Sequence, residues 1–347
     1  MICETSLMKY TQERFQGISF AFSGTSDSII TECAGFADKE GGIAVDENTI
    51  FPACSISKFI TALCVLKAYE SAPAGIDEPV NKYLDRWKLR QRDGAASDAT
   101  VRQLLCHTAG IVDGEDAFYG LRRNDPVVGL TDILEGKTPY NNRPAREEKT
   151  PGTEFEYSDA GYCVLQMLLE DITGKPFEAI AGEYLFEPLA LKRTFFASPG
   201  NVAYYEKEYV MATGYDESGL PIPGKYPQIP DLAASGLWST PKELLIIAKE
   251  FVKACQGRSS LLKAETAAEI AKPVEKFPWT GLGVFMGADN EIVSRGWGEN
   301  GQCLMKINHS TGETAAVMTN RNPGVDQAES GLEELVDKRL SKKNQIK

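Results

Sequence analysis

The sequence predicts a mixed α/β (α+β) fold: an antiparallel sheet assembled from both ends of the chain, flanked by helices, with a mainly helical lobe inserted between. Strand-like segments cluster near the start of the chain and return only after residue 280, whereas helical periodicity dominates the stretch between them. Residues 1–60 and 236–347 are accordingly expected to form the sheet domain, and 61–235 the inserted domain. No internal repeat or low-complexity linker interrupts this layout.

Taken in order, 17–24 (GISFAFSG) and 28–38 (SIITECAGFAD) read as two strands joined by a turn at 25–27. Apolar spacing then predicts helices over 56–71, 101–107, 159–173, 177–186 and 241–255. The helix at 241 has a strong start signal: Thr240 as N-cap, Pro241 at the first helical position, and Glu243 three residues after the cap. The one at 159 is stopped by Gly174 and Pro176. Segments 280–287, 291–297, 301–309 and 313–320 read as strands separated by Gly, Asn and Asp turn residues. A last helix is expected over roughly 326–345, where Leu332, Leu335, Val336 and Leu340 share a face. With four prolines, 219–230 (GLPIPGKYPQIP) suits neither a central strand nor a helix and reads as a surface loop, with a place beside a binding cleft as the alternative.

The chain has 347 residues, of which 42% are hydrophobic and 25% charged, the balance of an ordinary globular protein. A formal net charge of −12 sets it against nucleic acid and anionic membrane as partners, because both would repel it. A small-molecule or peptide substrate is the expected partner; oligomeric state is not legible. The opening MICETSLMKYTQERF lacks the pattern of a secretory signal, and no segment is apolar enough to span a membrane. Eight scattered cysteines without C-x-x-C spacing, and only two histidines, suggest reduced thiols in a cytoplasmic protein and argue against a structural zinc site.

Chemistry centres on FPACSISKFITALCVL, residues 51–66. Ile56, Phe59, Ile60 and Leu63 repeat at helical spacing, so Ser55 falls at a helix N-terminus with Lys58 one turn on, on the same face. Backbone N–H groups there favour developing negative charge. A lysine can take the serine proton only when neutral, so its ordinary value near 10.4 must be lowered. By itself the pattern is more often that of a capping serine with a snorkelling lysine.

Read together with TVRQLLCHTAGI (100–111) and PGTEFEYSDAGYCVLQMLLEDITGKPFE (151–178), this stretch resembles the serine hydrolases related to class C β-lactamases, D-Ala-D-Ala carboxypeptidases and family VIII esterases. The resemblance extends through DEPVNKYL, YLFEPLALKRTFF, ASGLWSTPKELL and TGETAAVMTN, from about Gly17 to Asn320. It implies a β-lactamase/transpeptidase-like fold with a cleft between sheet and lobe, and acyl transfer through a serine ester. It also implies the roles: Ser55 as nucleophile, Lys58 as base or proton relay, and Tyr157 as the phenol passing a proton to the leaving group. Backbone N–H groups of Ser55 and around Gly298–Asn300 would form the oxyanion hole. No metal or organic cofactor is implied.

Two positions depart from the family pattern. Asp159 stands where the family usually has Asn; a carboxylate only accepts, so it should pair with Lys58 or with a cationic or N–H group of the ligand. In the third motif, Arg295-Gly296-Trp297-Gly298-Glu299-Asn300-Gly301, no Lys or His appears. Either Trp297 or Arg295 fills that place, and with Gly298, Glu299 and Asn300 the stretch is expected to line the substrate site. A missing cation weakens the case for carboxylate-bearing β-lactam or peptidyl substrates. The alternatives are a weakly catalytic penicillin-binding or sensor protein, or a transacylase. A cysteine hydrolase using Cys54 and His107 is disfavoured, since Cys54 occupies a non-nucleophilic family position and His107 reads as structural.

Overall fold

Pairing between the chain's two ends builds the sheet. In the computed structural model, which describes residues 7–10, 14–71 and 75–341, β1 (Gly17–Ser23) and β2 (Ile30–Asp38) form the expected hairpin, extended by a short β3 (Ile43–Ala44). The other half comes from β7 (Phe285–Met286), β8 (Glu291–Gly298), β9 (Gly301–Asn308) and β10 (Thr314–Thr319). β1 pairs antiparallel with β10, Phe20 opposite Val317, giving the order β3-β2-β1-β10-β9-β8-β7. A second small sheet, β4-β6-β5, joins β4 (Phe51–Pro52), β6 (Leu237–Ser239) and β5 (Phe195–Phe196) beneath the cleft.

Strand alternation assigns the two faces. Ile18, Phe20, Leu304, Ala315 and Val317 pack with Leu332, Leu335 and Val336 of the C-terminal helix Leu332–Ser341. Ala316, Met318, Cys303 and Met305 face the opposite layer, with the helices Pro241–Cys255 and Ser57–Tyr69. The Ser57–Tyr69 helix is buried on every side over its first ten residues, Ser57 to Leu66. Phe59 meets Phe251 edge-on at 5.6 Å, while Ile60 and Leu63 belong to the apolar core shared with the helix Asp159–Thr173. A helix with no solvent face sits between sheet and lobe, so its N-terminus opens at their junction.

The capped helices match the sequence closely. Thr240 accepts from Glu243 N at 3.2 Å at the start of Pro241–Cys255, and Ser158 accepts from Gly161 N at 3.0 Å at the start of Asp159–Thr173. Elsewhere the structure corrects the sequence reading. The strand expected over 280–287 shrinks to Phe285–Met286 because Gly283 turns left-handed (φ +74°) and drives its backbone against the Ser57–Tyr69 helix; a Cβ there would lie 2.6 Å from Ala62 Cβ. The helix at 101 ends at Leu105, with His107 left-handed (φ +60°), and the one at 177 gives way at Gly182 to a single π-helical turn. Helices Leu130–Leu134, Val202–Glu208, Leu232–Ser235 and Ala264–Ile270 were not expected; each is too short to display two turns of periodicity. The far end of the expected C-terminal helix, and Cys3, lie outside the described residues.

Among the described residues seven cysteines are free thiols, no group of His, Cys, Asp and Glu could hold a metal ion, and no helix is long and apolar enough to cross a membrane.

Candidate active site

Ser55 is presented by a strained turn. Cys54 adopts a left-handed conformation (φ +46°), after which Cys54–Ile56 form one 3-10 turn leading into the Ser57–Tyr69 helix. Such a conformation costs a non-glycine residue of order 1 kcal/mol or more, and here neighbours hold it. Ser57 Oγ donates to Cys54 O (2.6 Å) and accepts from Leu237 N (3.0 Å), tying the turn to β6. β8 presses from the other side; a Cβ on Gly296 would lie 2.5 Å from Ala53 O, and one on Gly298 3.0 Å from Cys54 Sγ. Ser57 and Cys54 thus hold the turn, and Ser55 stands half-buried at its tip.

One helical turn on, Lys58 is 3% exposed and all three ammonium protons are engaged. Its Nζ donates to Ser55 Oγ (3.1 Å), Asp159 Oδ1 (2.5 Å) and Ala234 O (3.0 Å). It also lies 4.8 Å from the Tyr157 ring centre and 5.4 Å from that of Tyr162. Burial by itself would depress the ammonium's pKa, but the Asp159 carboxylate, with Tyr157 after it, reverses the sign and holds it well above the ordinary lysine range. The lowering expected from sequence is therefore absent in the resting site, because a carboxylate replaces the neutral amide of the family pattern.

Tyr157 belongs to the extended segment ahead of the Asp159–Thr173 helix. His107 stacks on its ring at 4.3 Å, and His107 Nδ1 accepts from Ser158 N at 3.1 Å. Burial, then the nearby Lys58 charge, keep the imidazole well below its ordinary value, hence neutral and able to accept. His107 so braces Tyr157. The residue as a whole is 40% exposed, yet desolvation at the crowded cleft floor raises the phenol, Lys58 opposes this and Asp159 adds to it. Its resting form is the neutral phenol.

Sequence reasoning missed two acids. Asp113 accepts from Ser158 Oγ (2.7 Å), Asp159 N (2.6 Å) and Ala160 N (3.4 Å), closing the N-terminus of the helix that carries Asp159. Burial, then Asp159's charge, push it up to about 6. Asp231 is fully buried at the head of the Leu232–Ser235 helix, with Oδ1 accepting from Tyr140 OH (2.6 Å) and Oδ2 unpartnered. Burial and Asp159 raise it well above the carboxylate range. That short helix matters because its carbonyls grip the Ser57–Tyr69 helix: Ala234 O accepts from Lys58 Nζ, and Ala233 O accepts from Thr61 Oγ1 (2.7 Å). Only backbone groups act here, so no side-chain signal could have found them.

A cavity of about 50 Å³ lies against Cys54, the residue before Ser55, and Asp159. Asp159, Trp297, Gly298, Glu299 and Asn300 all line it, so the structure brings these site residues together. Trp297 is 44% exposed. Arg295 instead forms an ion pair with Glu333 on the C-terminal helix, which leaves Trp297 alone to face the cleft at the third-motif position. Glu299 is already engaged: Oε1 accepts from Gly120 N (2.7 Å) and Oε2 meets Arg122 at 2.9 Å, strapping the 112–150 loop to the β8–β9 turn. Phe118, Tyr119, Tyr140 and Trp238 complete the walls with Pro227 and Ile229. The proline-rich stretch, for which the sequence left open a place beside the cleft, contributes Pro227 and Ile229 to its wall; its path could not be derived from sequence.

A family model described as Beta-lactamase matches residues 3–338. Esterase EstB of Burkholderia gladioli is 29% identical over 191 residues, 54% of this chain and 48% of that protein; the chain spans about half or less of the curated relatives it matches. Among solved structures, D-amino acid amidase from Ochrobactrum anthropi SV3, complexed with L-phenylalanine amide, superposes with a TM-score of 0.80 at 22% identity, covering 99% of this chain and 98% of that one. The octameric penicillin-binding protein homologue from Pyrococcus abyssi gives 0.76 at 23% identity, over 95% of this chain and 75% of that one. Likeness at this identity speaks to the fold, which is that of the β-lactamase and transpeptidase group.

Proposed function

The chain belongs to the Beta-lactamase family, and on that premise we propose that it is a serine hydrolase cleaving a small amide, peptide or ester through an acyl-enzyme on Ser55. The observation that carries this reading is the 3.1 Å contact from Lys58 Nζ to Ser55 Oγ at the floor of a cleft, with the Tyr157 ring 4.8 Å from the same nitrogen. A packing lysine has no need of either neighbour.

In the proposed reaction Lys58, in its minor neutral form, takes the hydroxyl proton as Ser55 Oγ bonds to the carbonyl carbon. The carbonyl electron pair moves onto oxygen, where N–H groups of Ser55 and of the Gly298–Asn300 turn receive it; each such donor is worth about 3–4 kcal/mol of barrier. As the tetrahedral intermediate collapses, the Tyr157 phenol protonates the departing nitrogen or oxygen and recovers a proton from Lys58. Water then attacks the ester by the reverse path, returning a proton to Ser55.

The test is intact-mass measurement after treatment with a fluorophosphonate. Wild type should gain one adduct and Ser55→Ala none; an unmodified wild type would rule out an activated serine. A second reading, slow turnover of a persistent acyl-enzyme, draws on the Asp159–Lys58 ion pair at 2.5 Å, which disfavours the neutral base. A penicillin adduct on Ser55 that outlasts hours of incubation would favour it.

A further inference from the structure

Cations beside the nucleophile are already spoken for. All three Lys58 protons are donated to Ser55, Asp159 and Ala234, and Arg122 is paired with Glu299. Among the described residues lining the cavity there is no Lys, Arg or His. What faces it is a ring of aromatic groups, Phe118, Tyr119, Tyr140, Trp238 and Trp297, and the carboxylate of Asp159. Only Oδ1 of that carboxylate is engaged by a side chain, the remaining oxygen having no hydrogen-bond partner among the described residues, and the side chain is 23% exposed. An anionic substrate group would meet a carboxylate and the negative faces of rings, with no cationic side chain to compensate its charge. A positive one would meet both an acceptor and π-faces.

We propose that this cavity selects acyl donors carrying an ammonium group, held between the outer oxygen of Asp159 and the rings of Trp297 and Tyr119. This rests on the hydrolase reading and names its substrate class: small aminoacyl amides or esters. A substrate cation at Asp159 also compensates the charge that holds Lys58 protonated. Binding of the ammonium group therefore eases release of the Lys58 proton, and the substrate itself helps to produce the base.

The experiment is protection of Ser55 from fluorophosphonate labelling, followed by mass, using three amides of similar size: alaninamide in both enantiomers, isobutyramide with a methyl in place of the ammonium, and succinamate with a carboxylate. Either alaninamide should halve the labelling rate at a concentration about tenfold or more below that of isobutyramide, with succinamate the weakest. Trp297→Leu should narrow that difference several-fold, and Trp297→Phe, which keeps a π-face, should retain most of it. Equal protection by isobutyramide, or better protection by succinamate, overturns the inference while leaving the hydrolase reading standing. Absence of any Ser55 adduct overturns both.

Discussion

Lys58 Nζ and Asp159 Oδ1 lie 2.5 Å apart in an ion pair whose lysine is 3% exposed and whose aspartate is 23% exposed. Because the carboxylate is the largest influence holding the ammonium together, Asp159 governs how much neutral Lys58 the site contains. In Asp159→Asn the raising charge is gone while burial, which lowers the value, remains. The lysine then loses its proton at lower pH, so the acid limb of the kcat/KM profile for a neutral ester moves to lower pH. Each unit of that shift raises the rate on the limb about tenfold. An acid limb that stays in place would show that Lys58 is not the titrating base.

Close approach of β8 to the Cys54–Ile56 turn is what aims Ser55. Gly296→Ala places a methyl 2.5 Å from Ala53 O, and neither partner is a flexible side chain. Overpacking of this kind costs about 1–3 kcal/mol, and the displaced turn should slow Ser55 labelling more than tenfold, about 1.4 kcal/mol or more of barrier. Urea unfolding beside fluorophosphonate kinetics separates the two effects. Labelling at the wild-type rate would mean that the turn keeps its geometry without β8.

The Glu299 strap closes the cleft mouth from the 112–150 side. Glu299→Gln removes the charge facing Arg122 while leaving an acceptor for Gly120 N. A partly exposed pair contributes about 0–1 kcal/mol, so stability should barely change. Substrate binding should weaken a few-fold, with KM rising more than kcat falls, as steady-state kinetics on any cleaved ester would report. A fall in kcat with KM unchanged would place Glu299 in the chemistry.

Asp231 links stability to pH. Its folded-state pKa is raised, so above about pH 4, the ordinary carboxyl value, the unfolded chain ionises while the native one keeps its proton. Rising pH then favours unfolding, by up to about 1.4 kcal/mol per pH unit for one proton. Asp231→Asn retains an acceptor for Tyr140 OH and lacks this proton. The wild type should lose stability relative to the variant between pH 5 and pH 7, as chemical denaturation at both would read. Parallel stabilities across that range would mean that Asp231 ionises freely in the native protein.

Legibility in the sequence followed the range of the interactions. Thr240, Pro241 and Glu243 act on one another within a single turn, and their helix begins where they place it. Ser55 and Lys58 are one helical turn apart, so their juxtaposition was readable once the apolar spacing around them marked a helix. The resemblance added Tyr157 and Asp159, which no local rule connects to Ser55. Strand 280–287 failed as an expectation because Gly283 answers to Ala62 and Lys58 O, far along the chain.

By itself the sequence determined that strands from both ends flank a helical middle, and where the longer helices and the Ser55–Lys58 pair lie, since periodicity, capping and motif spacing act over a few residues; Tyr157 came from the resemblance. It also posed Asp159 and the absent third-motif cation as questions. Only the tertiary structure decided that Asp159 grips Lys58, that Trp297 faces the cleft while Arg295 turns to Glu333, and that Asp113, Asp231 and the proline-rich loop stand around the site. Burial and Coulomb forces act between residues brought together from distant parts of the chain, and their strength depends on a desolvation that exists only once the lobe has packed against the sheet.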